Sequence, residues 1–343
     1  MDAACVLTPG TAGAPGSGSL NGHRIVDKEN PDVEYRQLGR SGLTVSALGL
    51  GCNNFGMRID QEQSTAVVHR ALESGITLFD TAQMYGQGES ERILGAALGA
   101  RRDEAVIATK FGARQPEGRN QATGSRRNVI RECEASLRRL GTDHIDLYYL
   151  HFPDTRTPIS ETLAALDDLV RQGKVRYIAA SNFSGWRLVD AHHIADKLGS
   201  AAFVGNQVEW SLLKRAVETE VVPACRHVEH GIIPYFPLAS GLLTGKYSAG
   251  SEFPAGSRMA EVPRLAGDAT AENFALIERL SAVSRQLGRT ILELAICWLL
   301  SQRGVSSVIA GATTPEQVTT NVDSARWRLT AEELEAVDEA LAL

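Results

Sequence analysis

From Tyr35 to the C-terminus, short apolar runs rich in β-branched and aromatic side chains alternate with longer stretches whose apolar positions recur every three or four residues. The short runs suit strands covered on both faces and the longer stretches suit amphipathic helices, so the pattern predicts repeated βα units around a parallel sheet. The runs are Val45 to Leu50, Thr77 to Phe79, Ala105 to Ala108, Ile145 to Leu150, Arg176 to Ala180, Phe203 to Asn206, Ile232 to Phe236 and Ser307 to Ala310. Between the third and fourth, Val129, Cys133, Ser136, Leu137 and Leu140 trace one helix face, with Gly141 as its C-cap. Thr157 and Pro158 are expected to open the next helix as N-cap and first helical residue, Leu163, Leu166 and Leu169 to face the core, and Gly173 to end it. Ile291, Leu294, Ala295, Trp298 and Leu299 mark the helix before the last run.

Eight parallel strands joined by right-handed helical crossovers predict one closed (β/α)8 barrel of the TIM type, a single α/β domain over residues 31–343. Residues 1–30, rich in Ala, Gly, Ser, Thr and Pro without an apolar period, are expected to form a disordered N-terminal tail. The stretch Ala239 to Asp268 is long, Gly-rich and too polar to be another repeat, and is expected to lie across a functional face.

Charge narrows the function classes. Lys and Arg number 35 against 41 Asp and Glu, a net charge of -6, and the basic residues gather into no stripe, so nothing marks a nucleic-acid footprint. The longest apolar helix candidate, Ile291 to Leu300, carries Glu293 and falls well short of the roughly 20 residues that span a bilayer. Met1 to Leu20 has neither basic residues nor an apolar core of signal type, so a cytoplasmic location is the expectation. Cys5, Cys52, Cys133, Cys225 and Cys297 are odd in number and far apart, a spacing that suits neither a disulfide framework nor a zinc site.

The candidate chemistry is positional. Asn53, Asp80, Lys110, His151, Asn182, Gln207, Tyr235 and Gly311 stand at or just after the C-terminal ends of successive runs, where an α/β barrel collects its loops. Singly, Asp80 reads as a helix cap, Tyr85 as a loop aromatic and His151 as a satisfied core histidine. Together, Asp80, Tyr85, Lys110 and His151 are a proton-transfer set. A phenol of pKa about 10 is a poor acid at neutrality, and lowering it by about three units takes roughly 4 kcal/mol of preferential phenolate stabilisation. The Lys110 ammonium is placed to supply this, Asp80 to keep Lys110 charged, and His151 to align a carbonyl oxygen.

The segments carrying these residues closely resemble the aldo-keto reductases: Val45 to Gly51 with Asn53, Gly75 to Gly86, Thr109 to Gly112, Asp143 to His151, Ser181 to Phe183, Asn206 with Gln207, Pro237 to Lys246, and Gly311 to Gln317, in the family's order. The resemblance implies a nicotinamide dinucleotide extended across the C-terminal mouth, NADP(H) favoured and NAD(H) the alternative, without a Gly-x-Gly-x-x-Gly fingerprint. It implies that Tyr85 is the general acid, tuned by Lys110 and Asp80, with His151 orienting the carbonyl. Ser181, Asn182 and Gln207 match positions holding the nicotinamide carboxamide, and Tyr235 the aromatic beneath the ring. Pro237, Leu238, Gly241, Leu242 and Lys246 match the pyrophosphate loop, and Gly311, Thr313, Thr314, Gln317 and Asn321 the adenosine end. Many relatives carry a basic residue within Gly311 to Pro315 for the 2′-phosphate, whereas this chain has Thr313 and Thr314.

Phe55, Met57, Phe111, Phe152 and Trp210 follow strand ends and are candidates for an apolar substrate wall. The expected activity is hydride transfer between the dinucleotide and an aldehyde, ketone or sugar, without a metal. The alternative is a nucleotide-sensing subunit, because barrels of this kind also serve as β subunits of potassium channels. A third reading, a cofactor-free barrel isomerase or hydrolase, leaves Lys246 and Gln317 unexplained.

Overall fold

A computed structural model describes residues 33–113, 122–254 and 256–342. The expected tail at 1–30 lies outside the described residues. A two-stranded antiparallel hairpin, β1 (Tyr35–Gln37) and β2 (Thr44–Ser46), precedes eight parallel strands: β3 (Leu48–Gly51), β4 (Leu78–Asp80), β5 (Val106–Phe111), β6 (Ile145–Leu150), β7 (Val175–Ser181), β8 (Phe203–Glu209), β9 (Gly231–Tyr235) and β10 (Val308–Gly311). Each of the eight pairs with its neighbour, and β10 bonds to both β9 and β3, which closes the barrel. The fold is a (β/α)8 TIM barrel.

The helices that matter for the site and the packing are α1 (Gln61–Glu73), α2 (Glu89–Leu98), α3 (Arg126–Leu140), α4 (Ile159–Arg171), and, before and after the last barrel strand, α5 (Ile291–Ser301) and α6 (Pro315–Ser324). Along α3 the residues Val129, Cys133, Ser136, Leu137 and Leu140 are buried and Gly141 takes a left-handed conformation at its end, as the spacing predicts. In α5 Thr290 and Glu293 form a capping box, and every residue from Leu294 to Leu300 is buried beneath the last strand. Among the described residues no helix is long and apolar enough to cross a membrane.

Two expectations need correction. The run Val45 to Leu50 is not one strand: Thr44–Ser46 pairs antiparallel with β1, and only Leu48 onward joins the barrel. At α4, Pro158 rather than Thr157 is the N-cap, with an extended ψ of 132°. The Thr157 hydroxyl instead donates to Asp154 Oδ2 at 2.7 Å, a carboxylate that also accepts from the backbone N–H groups of Gly124 and Arg156.

The hairpin fills the N-terminal end of the barrel. Leu38, Leu43 and Val45 pack with Leu78, Val106, Leu147, Tyr149, Ala179 and Ile233 in an inner core, while a larger core lies between strands and helices. Each fully buried aliphatic side chain contributes about 1.5–3 kcal/mol. Gly39 makes the close approach feasible: its φ is +56°, and a Cβ there would fall 2.5–2.7 Å from backbone atoms of Gly231, Val204 and Glu229. With that end plugged, the open end is the one where the strands' C-termini meet.

Candidate active site

Strand geometry decides which polar side chains reach the open mouth. Asp80 is the last residue of β4, Lys110 the penultimate residue of β5, and His151 the first residue beyond β6. Tyr85 sits on the tight turn Tyr85–Gly88, where Gly86, Gln87 and Gly88 all have positive φ. Side chains of one strand alternate between faces, so Lys110 points inward while Phe111 points to the helices.

The four residues converge. Lys110 Nζ donates to Asp80 Oδ2 at 2.6 Å, to the Thr81 carbonyl at 2.9 Å and to the Tyr85 hydroxyl at 3.5 Å. It also lies 5.1 Å from the Tyr85 ring centroid. The Tyr85 and His151 rings meet edge-on with centroids 6.1 Å apart, and Phe152 stacks on His151 at 4.6 Å. Lys110 is fully buried and Asp80 is 3% exposed, so the ion pair is shielded from water.

Electrostatics sharpen the picture. Burial works to lower the Lys110 ammonium, but Asp80 and Tyr85 together carry it above its ordinary value, so it stays charged. Burial pushes His151 down to about 2, with Lys110 adding to the effect, so the imidazole is neutral throughout the physiological range. Its Nδ1 has no hydrogen-bond partner among the described residues. For Tyr85 the expected lowering is reversed: burial raises the phenol above its ordinary value of 10, and the attraction of Lys110 offsets this only in part, with Asp80 opposing it. Tyr85 is therefore protonated at neutrality, with the charged Lys110 ammonium 3.5 Å from its hydroxyl.

Around the quartet lies a cavity of about 800 Å³, within the range of small-molecule clefts. Of the residues expected at a dinucleotide, Asn182, Gln207, Tyr235, Pro237, Leu238, Gly241, Lys246, Gly311, Thr313, Gln317 and Asn321 line it. Ser181, Leu242 and Thr314 do not. Ser181 is buried behind the wall and donates to the Gln207 carbonyl at 3.0 Å, Leu242 is fully buried in the core, and Thr314 caps α6 by accepting from Gln317 N. The Tyr235 hydroxyl donates to Asn182 Oδ1 at 2.9 Å, and the Asn182 amide donates to the His151 carbonyl at 2.9 Å. Gln207 donates to Asp80 Oδ1 at 2.7 Å, a contact not anticipated from the sequence.

The apolar wall differs from the expected one. Phe55, Phe111 and Trp210 are buried packing residues that do not line the cavity: Phe111 lies against Tyr148 at 4.8 Å, and Trp210 meets Trp298 edge-on and donates to Glu218. Met57 is 66% exposed and lies beside Gly86. Phe152 does line the cavity, with Met84 and Phe236, which sequence reasoning missed. Also missed are Arg58 and Glu209. Glu209 carries a readable signal, since it follows Gln207 by two residues on β8 and so shares its face.

Arg58 explains how the long polar loop is held over the mouth. Its Nε donates to Glu261 at 2.6 Å and its Nη2 to the Gly256 carbonyl at 2.8 Å. Ser240, Gly241, Thr244, Gly256 and Ser257 of that loop line the cavity. Among the described residues no group of three or more His, Cys, Asp or Glu side chains could hold a metal ion.

Residues 47–342 match the model of the aldo/keto reductase family. The chain is 38% identical over 320 residues to the uncharacterized oxidoreductase YrpG of Bacillus subtilis, covering 90% of this chain and 95% of that protein. It is 36% identical over 298 residues to a probable voltage-gated potassium channel subunit beta of Arabidopsis thaliana, covering 84% and 90%. A putative subunit of the same description from Schizosaccharomyces pombe is 37% identical over 329 residues, covering 90% and 94%. A closed barrel with this cavity, matched by the family over nearly its whole length, is a member of the aldo/keto reductase family of oxidoreductases.

Proposed function

We propose that this protein is an NAD(P)H-dependent reductase of aldehydes, ketones or sugars, with Tyr85 as proton donor. The observation that carries the reading is the chain Asp80, Lys110, Tyr85, with His151 facing the same cavity. The cavity suits a dinucleotide on three counts. Asn182, Gln207 and Tyr235 contribute amide and aromatic groups to its lining. Gly241, at φ +99°, leaves a cradle that a Cβ would narrow to 3.3 Å from the Lys246 side chain. The N-terminal end of α6, capped by Thr314, opens beside Thr313 and Gln317.

A reduced nicotinamide, when bound, supplies the hydride. The protein's part is the oxygen: neutral His151 aligns the carbonyl, Tyr85 delivers its proton to the developing alkoxide, and Lys110, held by Asp80, stabilises the phenolate left behind. Met84, Phe152 and Phe236 line the same cavity as Tyr85 and His151 and give the substrate an apolar wall. In the reverse direction Tyr85 is the base. NADP(H) is the proposed dinucleotide, with NAD(H) the alternative, since Thr313 and Thr314 offer hydroxyls but no charge.

The test is titration with NADPH and NADH followed by nicotinamide absorbance against a panel of aldehydes, ketones and sugars. Saturable binding with turnover is the expected result, and absence of binding by either dinucleotide would refute the reading. A second reading, a regulatory subunit with little turnover, is favoured by two relatives described as potassium channel β subunits. Tight binding with no turnover on any panel member would select it.

A further inference from the structure

The Asp80 carboxylate has two oxygens, and both are engaged. Oδ2 accepts from Lys110 at 2.6 Å and Oδ1 accepts from the side-chain amide of Gln207 at 2.7 Å, across 127 residues of chain. Asp80 and Gln207 are each 3% exposed. The main chain of Gln207 is equally fixed, since its carbonyl accepts from the Ser181 hydroxyl at 3.0 Å and from the Asn182 N–H at 2.9 Å. Asn182, in a left-handed conformation at φ +60°, is itself held by Tyr235 and by the His151 carbonyl. A continuous hydrogen-bonded path thus runs around the mouth, from Tyr235 through Asn182, Gln207, Asp80 and Lys110 to Tyr85.

We infer that Gln207 is a positioning residue for proton transfer: its amide holds the Asp80 carboxylate that orients Lys110, and so links the Asn182 side of the cavity to the phenol. This rests on the proposed role of Tyr85 as acid and base. The other titratable groups that face Tyr85 and Lys110, the Cys52 thiol, the Tyr149 phenol and the His151 imidazole, are all held neutral by burial, so the physical content is charge sharing between Asp80 and Lys110. A donor on Oδ1 draws negative charge away from the oxygen that faces Lys110, so less of the ammonium's field at Tyr85 is cancelled. Without that donor, a buried carboxylate oxygen is left unpaired, the carboxylate pulls harder on Lys110, and Tyr85 becomes a weaker acid.

Gln207→Met keeps the length of the side chain and removes the donor; Gln207→Asn keeps an amide but shortens its reach to Asp80. In both, the pH limb that marks Tyr85 deprotonation in alcohol oxidation is expected to move up by about one unit, so the rate at a fixed pH below the limb falls about tenfold. A residue that only grips the dinucleotide would raise its KM and Kd and leave the limb where it is in wild type; that result in either folded variant overturns the inference. Measuring Tyr85→Phe alongside separates the two levels: full oxidation activity in that variant would defeat the acid–base assignment itself, whereas an inactive Tyr85→Phe with an unmoved limb in the Gln207 variants defeats only the positioning role.

Discussion

Tyr85 and His151 are both pushed toward their neutral forms by burial, and that shared fate sets the expected pH dependence. An acid works in its protonated form, so a phenol raised above 10 keeps reduction constant through neutrality and lets it fall only at strongly alkaline pH. Oxidation needs the phenolate and should climb across the same interval. Because burial pushes the His151 imidazole down to about 2, no inflection between pH 5 and 8 is expected from it. A kcat profile for reduction, measured at saturating dinucleotide, checks this: a group of pKa 6–7 that disappears in His151→Ala would contradict a neutral imidazole. The quartet was legible in the sequence because Asp80, Lys110 and His151 stand at strand ends and Tyr85 follows on the turn just after one of them. The direction of the Tyr85 shift was not, since burial depends on the surrounding loops and outweighs the one charge that spacing reveals.

Among the secondary-structure elements, the joint between α2, α3 and β5 carries a buried charge. Glu91 of α2 is fully buried and accepts from Thr109 Oγ1 at 2.6 Å and from Arg139 Nε at 2.5 Å. Removing the cation strands the carboxylate, so Arg139→Ala is expected to destabilise the fold by about 3–5 kcal/mol. Thermal unfolding reads this as a lowered midpoint; an unchanged midpoint would show that water reaches Glu91. The elements also show where strand-end reasoning stops. Phe111 adjoins inward-facing Lys110, so the two-residue period of β5 sends it to the helix layer, and Trp210, one residue beyond β8, packs edge-on against Trp298 of α5. Counting that period separates wall from core, whereas proximity to a strand end does not. The hairpin was hidden for a related reason: Ala47 is apolar, and Ser46, the one polar residue of the run Val45 to Leu50, is buried with its hydroxyl bonded to the Leu48 carbonyl, so the turn from β2 into β3 has no Gly, Pro or charged residue to mark it.

For the whole molecule, closure of the barrel converts eight scattered strand ends into one site. The repeat of eight short apolar runs separated by helices made that architecture readable, because a closed parallel sheet ringed by helices buries every run on both faces. What spacing does not encode is lateral reach across the mouth: Gln207 of β8 meets Asp80 of β4, and Arg58 meets Glu261 more than 200 residues away in sequence. The barrel plugged by its hairpin leaves a single face on which the quartet, the cavity and the long loop coincide, and the central claim is that chemistry on this face runs through one phenol. The direct measurement is single-turnover reduction of a carbonyl by Tyr85→Phe loaded with NADPH, with dinucleotide affinity measured in parallel. The rate is expected to fall about 10²–10⁴-fold while affinity stays within about threefold of wild type. A variant that reduces the carbonyl at the wild-type rate would contradict the assignment.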